Sequence, residues 1–171
     1  MILDWFFDCM PLNLRKLSVL VVEDLAPMLD VVVDILKILG VGQVYQARDG
    51  ASGFRQFVRY RPDIVLTDWE MDPVDGLELV RAIRHDATSP KRTTPIIVMT
   101  GYAAAARVAA ARDLGATEFL VKPFTANELV RRITYVVEHP RDFVETADFF
   151  GPDRRRRKSD AYDGIERRKD E

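Results

Sequence analysis

From Leu17 onward the apolar positions follow two alternating rhythms. Short apolar runs at 19–22, 64–66, 96–99 and 119–121, with a weaker one at 43–46, are separated by stretches where apolar side chains recur every three or four residues. Compact runs rich in Ile, Val and Leu suit strands buried on both faces, and the intervening stretches suit amphipathic helices. The helical patterns cover 26–39, 50–60, 75–85, 103–114 and 126–138, with Gly40 and Gly115 as C-terminal stops. Strands alternating with helices of this length predict βαβ units and a parallel sheet. Right-handed crossovers then place helices on both sides, giving an α/β, doubly wound, five-stranded parallel sheet.

The rhythm is absent at both ends. Residues 1–16 carry Ile2, Leu3, Trp5, Phe6, Phe7, Cys9 and Met10, but Asp4 and Asp8 interrupt the run and no basic segment precedes it. That argues against a signal peptide and a membrane span. The stretch reads either as an amphipathic turn that docks on the domain or a partner, or as a leader before a start at Met10. His139-Pro140 ends the last helical pattern. Residues 141–150 read as a connector, and 151–171, charged and poor in large apolar residues, as a mobile tail. The expected organisation is an N-terminal extension at 1–16, a domain at 17–139, and a connector with a flexible charged tail at 140–171.

Composition adds few constraints. In 171 residues the apolar fraction is 47% and the net charge −2, so the chain as a whole carries no nucleic-acid signature. One cysteine excludes an internal disulfide, and two distant histidines leave no zinc-ligand spacing. A reducing cytoplasm fits.

The chemistry gathers where the apolar runs stop. Glu23 and Asp24 follow the first run, Asp68 the third, Thr100 the fourth and Lys122 the fifth. In a parallel sheet those ends share one edge, so three carboxylates, a hydroxyl and an ammonium converge on one crevice. Taken singly each has a plainer role: Asp24 as a helix cap, Thr100-Gly101 as a turn, Lys122 as a surface charge. Together they suit phosphoryl transfer to Asp68. Clustered carboxylates repel unless a cation holds them, and a hard ion such as Mg²⁺, or Mn²⁺, suits Glu23, Asp24 and Asp68. A carboxylate is a competent nucleophile, Lys122 would clamp a phosphoryl oxygen, and Thr100 would donate a hydrogen bond to another.

The residues Val21-Val22-Glu23-Asp24, Leu66-Thr67-Asp68-Trp69-Glu70-Met71, Asp75-Gly76, Val98-Met99-Thr100-Gly101 and Phe119-Leu120-Val121-Lys122-Pro123-Phe124 resemble the receiver domain of bacterial two-component response regulators. The resemblance spans about residues 17–138 and implies the flavodoxin-like fold. It implies Asp68 as phosphoacceptor, Glu23 and Asp24 as the acidic pair, the Glu70 backbone carbonyl as a further metal ligand, Thr100 and Phe119 as the switch, and a cis bond before Pro123. Three features depart from the chemotaxis regulator: Glu-Asp replaces Asp-Asp, the loop proline is Pro73, and Phe119 stands where Tyr is frequent. Glu70 and Tyr102, two residues past Asp68 and Thr100, flank the approach of water and are expected to tune phosphoryl lifetime.

The resemblance implies a histidine kinase or phosphotransfer protein as donor, and a downstream protein target on the surface of the 103–114 helix, the fifth strand and the 126–138 helix. No output domain of ordinary size fits after Pro140, which predicts a stand-alone receiver; a homodimer is left open. Two other classes stay open. The Arg-rich stretch at 154–158 permits a nucleic-acid or acidic-partner module, though its acidic neighbours favour a solvated tail. A haloacid-dehalogenase-type phosphatase would want Asp-x-Asp, which Asp68-Trp69-Glu70 matches poorly.

Overall fold

A computed structural model of the chain describes residues 14–101, 111–146 and 149–153. Five strands form one parallel sheet: β1 (Ser18–Val22), β2 (Gln43–Ala47), β3 (Ile64–Asp68), β4 (Ile96–Thr100) and β5 (Glu118–Val121), in the order β2-β1-β3-β4-β5. Among the described residues, four α-helices have both ends in view: α1 (Ala26–Ile38), α2 (Gly50–Tyr60), α3 (Gly76–His85) and α4 (Ala126–Glu138). Of the predicted 103–114 helix only residues 111–114 are described: 111–113 are helical and Leu114 is in a turn. This is the doubly wound parallel architecture that the apolar rhythm predicts, in the flavodoxin-like strand order that the resemblance implies.

Period-two alternation divides the core between the two faces of the sheet. Val19, Val21, Ile64, Leu66, Ile97 and Met99 pack with Leu29, Val33 and Leu36 of α1 and with Leu129 and Ile133 of α4. Leu20, Val22, Val65, Ile96 and Val98 pack with Phe57 of α2 and with Leu79, Val80 and Ile83 of α3. Both strand faces are therefore buried, which is why the strands read as unbroken apolar runs rather than alternating ones.

The helix ends follow local chemistry. Asp49, Asp75 and Thr125 cap α2, α3 and α4, each accepting from the backbone three residues on within a reciprocal capping box. Gly40 and Gly115 take positive φ, 76° and 99°, as chain reversals after a helix favour. The cap of α1 is different. Leu25 occupies it with no side-chain bond, and Pro27 lies in the first turn, so Asp24 is not used as a helix cap.

The C-terminal connector departs from expectation. Phe143–Glu145 (β6) and Phe150–Pro152 (β7) form an antiparallel hairpin, and Gly151 and Pro152 are buried. A three-residue strand of Phe-Gly-Pro carries no period-two signal, and the surface that receives it comes from residues distant in sequence. Residues 1–13 and 154–171, including Cys9 and the Arg-rich stretch, lie outside the described residues.

Candidate functional site

The strand order reverses between β1 and β3, and the crevice at their carboxyl ends is where such sheets bind ligands. Val22 of β1 pairs with Thr67, which places Glu23 beside Asp68. Asp68 pairs with Met99, bringing the end of β4 alongside, and Thr100 pairs with Val121, so Lys122 follows at the same edge. The backbone N–H of Lys122 donates to the Thr100 carbonyl at 2.8 Å, fixing where the lysine leaves the sheet.

From there Lys122 reaches inward. Its Nζ donates to Glu23 Oε2 at 2.7 Å and lies 2.9 Å from Asp68 Oδ1. Glu23 is fully buried and Asp68 nearly so, at 7% exposure. Asp24 is half-buried beside them. Burial pushes the Glu23 carboxyl above its usual range, with repulsion from Asp68 and Asp24 adding to it, while the Lys122 hydrogen bond pulls the other way. Burial alone would lower Lys122, but its bonds to Glu23 and Asp68 hold it above the ordinary ammonium value.

Glu23, Asp24 and Asp68 each present a carboxylate oxygen, and these three oxygens lie within 4.8 Å of one another. Glu23 Oε1 is buried with no hydrogen-bond partner among the described residues. An orphaned buried oxygen in an all-oxygen donor set fits a hard divalent cation.

The loops are held close to this centre. Gly76 opens α3 directly over the end of β3, where a Cβ would come within 1.9 Å of the Asp68 carbonyl oxygen. Only glycine fits there, which explains the Asp75-Gly76 pair in physical terms. Glu70 is exposed two residues past Asp68. Pro73 and Pro123 both follow cis peptide bonds. Thr100 is buried at the end of β4, and Phe119 is half-buried on β5, paired with Val98. Since Val98 and Thr100 share a face of β4, Phe119 lies one diagonal step from Thr100. Tyr102 lies outside the described residues.

Among the buried polar groups that sequence reasoning missed, Arg84 is the largest. Arg84, in the last turn of α3, is fully buried and donates to the carbonyls of Gly115, Arg92 and Thr94. A basic residue at a helix C-terminus reads as a surface charge, and no local signal distinguishes this one.

An acidic trio and a lysine gathered at the carboxyl edge of a five-stranded doubly wound sheet are the arrangement that the resemblance to a receiver domain implies. The family comparison agrees: residues 19–134 match the response regulator receiver domain, and the chain belongs to that family. It is 28% identical over 124 residues to chemotaxis protein CheY-3 of Vibrio cholerae, covering 72% of this chain and 94% of the relative. It is 29% identical over 122 residues to chemotaxis protein CheY of Pseudomonas aeruginosa, covering 71% and 97%. Among solved structures, Vibrio cholerae chemotaxis protein CheY4 superposes with a TM-score of 0.65 at 28% identity, covering 70% of this chain and 98% of that one. Receivers of this family are regulatory elements of two-component signalling. Among the described residues, no helix is long and apolar enough to cross a membrane.

Proposed function

We propose that this chain accepts a phosphoryl group on Asp68 from a phosphohistidine of a kinase or phosphotransfer protein, in a Mg²⁺-dependent reaction, and signals through its own surface to a protein partner in the cytoplasm. An Asp68 carboxylate oxygen attacks phosphorus, the phosphorus–nitrogen bond breaks, and the imidazole leaves with its electron pair. A mixed anhydride results, which water later returns to carboxylate and phosphate. The single observation that carries this reading is Lys122 Nζ lying between Glu23 and Asp68 within one buried acidic crevice.

Glu23, Asp24, Asp68 and the Glu70 backbone carbonyl would hold the divalent ion. When bound, it neutralises charge on the incoming phosphoryl group. Lys122 pairs a second phosphoryl oxygen, exchanging a carboxylate partner for a phosphoryl one. Thr100 donates its hydroxyl to a third, and the space it leaves lies on the face that Phe119 shares, which links the charge at Asp68 to packing on β5. The output surface in this reading comprises the 103–114 segment, β5 and α4, and Glu70 and Tyr102 set the phosphoryl lifetime.

The test is treatment with acetyl phosphate and Mg²⁺ followed by mass spectrometry of the intact chain. One phosphoryl group is expected on the wild type and none on Asp68→Asn. Labelling of the variant at the wild-type rate would refute the assignment.

A further inference from the structure

The β6–β7 hairpin lies beyond the residues that match the family, yet it is built into the domain. It lies against Arg84 and against Arg92 and Gly115, in the segments that lead into β4 and β5 at the edge of the sheet opposite the acidic crevice. Arg84 organises that edge. Its Nε donates to the Gly115 carbonyl at 3.0 Å, and Nη1 donates to the carbonyls of Arg92 at 2.6 Å and Thr94 at 2.9 Å. Nη2 reaches Thr117 Oγ1 at 3.4 Å, and the same oxygen accepts the Ile96 N–H at 3.1 Å. One buried guanidinium thus ties α3 to the entries of both strands.

The hairpin closes over this node through ring, charge and backbone contacts. The Arg84 guanidinium lies 5.1 Å from the centre of the Phe143 ring, and that of Arg92 lies 3.8 Å from the centre of Phe150. Arg92 also pairs with Glu145 at 3.4 Å. Between the two stacks, Gly151 meets Gly115 backbone to backbone. A Cβ on Gly151 would stand 3.0 Å from Gly115 Cα and 2.6 Å from the Phe149 ring. A hairpin of three residues per strand has no stability of its own, so its place depends on contacts with the rest of the domain such as these.

We propose that the hairpin is a strap whose docking on Arg84 and Arg92 fixes the starts of β4 and β5, and so tunes how Thr100 and Lys122, at the far ends of those strands, stand around Asp68. The proposal rests on the phosphoacceptor reading. β4 runs from Ile96 to Thr100, and β5 from Glu118 to Val121 with Lys122 next, so each short strand joins the node to one phosphoryl-binding side chain. Coupling between two sites is reciprocal: a strap that alters affinity at Asp68 is itself altered when Asp68 is occupied.

The test uses the full chain, with beryllofluoride and Mg²⁺ as the phosphoryl mimic and amide hydrogen exchange as the readout. Gly151→Ala drives a methyl into Gly115 and the Phe149 ring, and Arg92→Ala removes the Phe150 stack; neither touches the acidic crevice. In both variants, exchange at 94–96, 115–118 and 143–152 is expected to quicken about tenfold, and beryllofluoride affinity to change about fivefold or more, within the usual range of coupling energies. In the wild type, beryllofluoride is expected to alter exchange at 143–152. Hairpin amides as protected in both variants as in the wild type would overturn the proposal, because the contacts named would not be what holds the strap. Released hairpins with beryllofluoride affinity within about twofold of wild type would overturn the coupling. A wild-type chain that binds no beryllofluoride would instead refute the phosphoacceptor reading, and the coupling with it.

Discussion

Lys122 and Glu23 are 99 positions apart, and their side chains meet at 2.7 Å. The ammonium continues to Asp68 Oδ1 at 2.9 Å, so one cation offsets two buried carboxylates that repel each other. Until another cation enters, the lysine keeps the crevice compact. The second oxygen of Glu23 remains buried and unpartnered among the described residues, an acceptor in excess of what Lys122 satisfies. Carboxylates in excess of the lysine are the condition under which a divalent ion is taken up.

Removing Lys122 leaves that charge uncompensated. Lys122→Ala is expected to lower stability without metal by about 3 kcal/mol, the usual cost of orphaning one side of a buried pair. Saturating Mg²⁺ should restore part of it. Glu23→Gln should instead weaken Mg²⁺ binding ten- to a hundredfold while leaving apo stability unchanged or higher, because it removes a charge that burial disfavours and that Asp68 and Asp24 repel. Thermal unfolding titrated with Mg²⁺ reads both, and equal Mg²⁺ dependence in Glu23→Gln and wild type would rule out Glu23 as a ligand.

Gly76 tests how tightly the loop after Asp68 is held. A methyl at this position would overlap the Asp68 carbonyl oxygen at 1.9 Å, and backbone cannot give way as a side-chain tip does. Gly76→Ala is expected to destabilise by about 1–3 kcal/mol, as overpacking generally does, and to slow phosphorylation of Asp68 by displacing the end of β3. Chemical denaturation and acetyl-phosphate labelling are the measurements. Wild-type behaviour in both would show that α3 can shift without disturbing the site.

Asp49 makes a pH-dependent contribution far from the crevice. The Ser52 hydroxyl, and then the Ser52 N–H, hold its carboxyl below the ordinary value. The unfolded chain therefore binds more protons in the window below the ordinary value of about 3.9. Stability from this cap is complete above that window and is lost as pH falls through the lower folded value. Asp49→Ala should cost about 1 kcal/mol near neutrality, the usual worth of an N-cap. Urea unfolding at neutral and strongly acid pH should show the difference between variant and wild type shrinking at acid pH; a constant difference would mean that the Asp49 charge contributes nothing.

Much of the fold follows from local rules that the sequence states openly. The unbroken apolar runs of β1, β3 and β4, each buried on both faces, and the caps at Asp49, Asp75 and Thr125 need no tertiary information. The acidic trio and Lys122 were legible for the same reason: parallel strands fix which ends share an edge, so residues that follow successive strands must converge. Tertiary structure alone decided what depends on surfaces assembled from distant segments. Asp24 reads as readily as a helix cap, and only the placement of Leu25 at the start of α1 removes that role. Arg84 has the sequence context of a surface charge, but the carbonyls of Arg92, Thr94 and Gly115 converge on it from two other segments and make its burial tolerable. The residues of β7 carry no strand period, and they take strand geometry because Gly151 can reach Gly115 and Phe150 can stack on Arg92. A periodic pattern reports the environment an element makes for itself, whereas a docked segment is defined by an environment that exists only once the rest of the chain has folded.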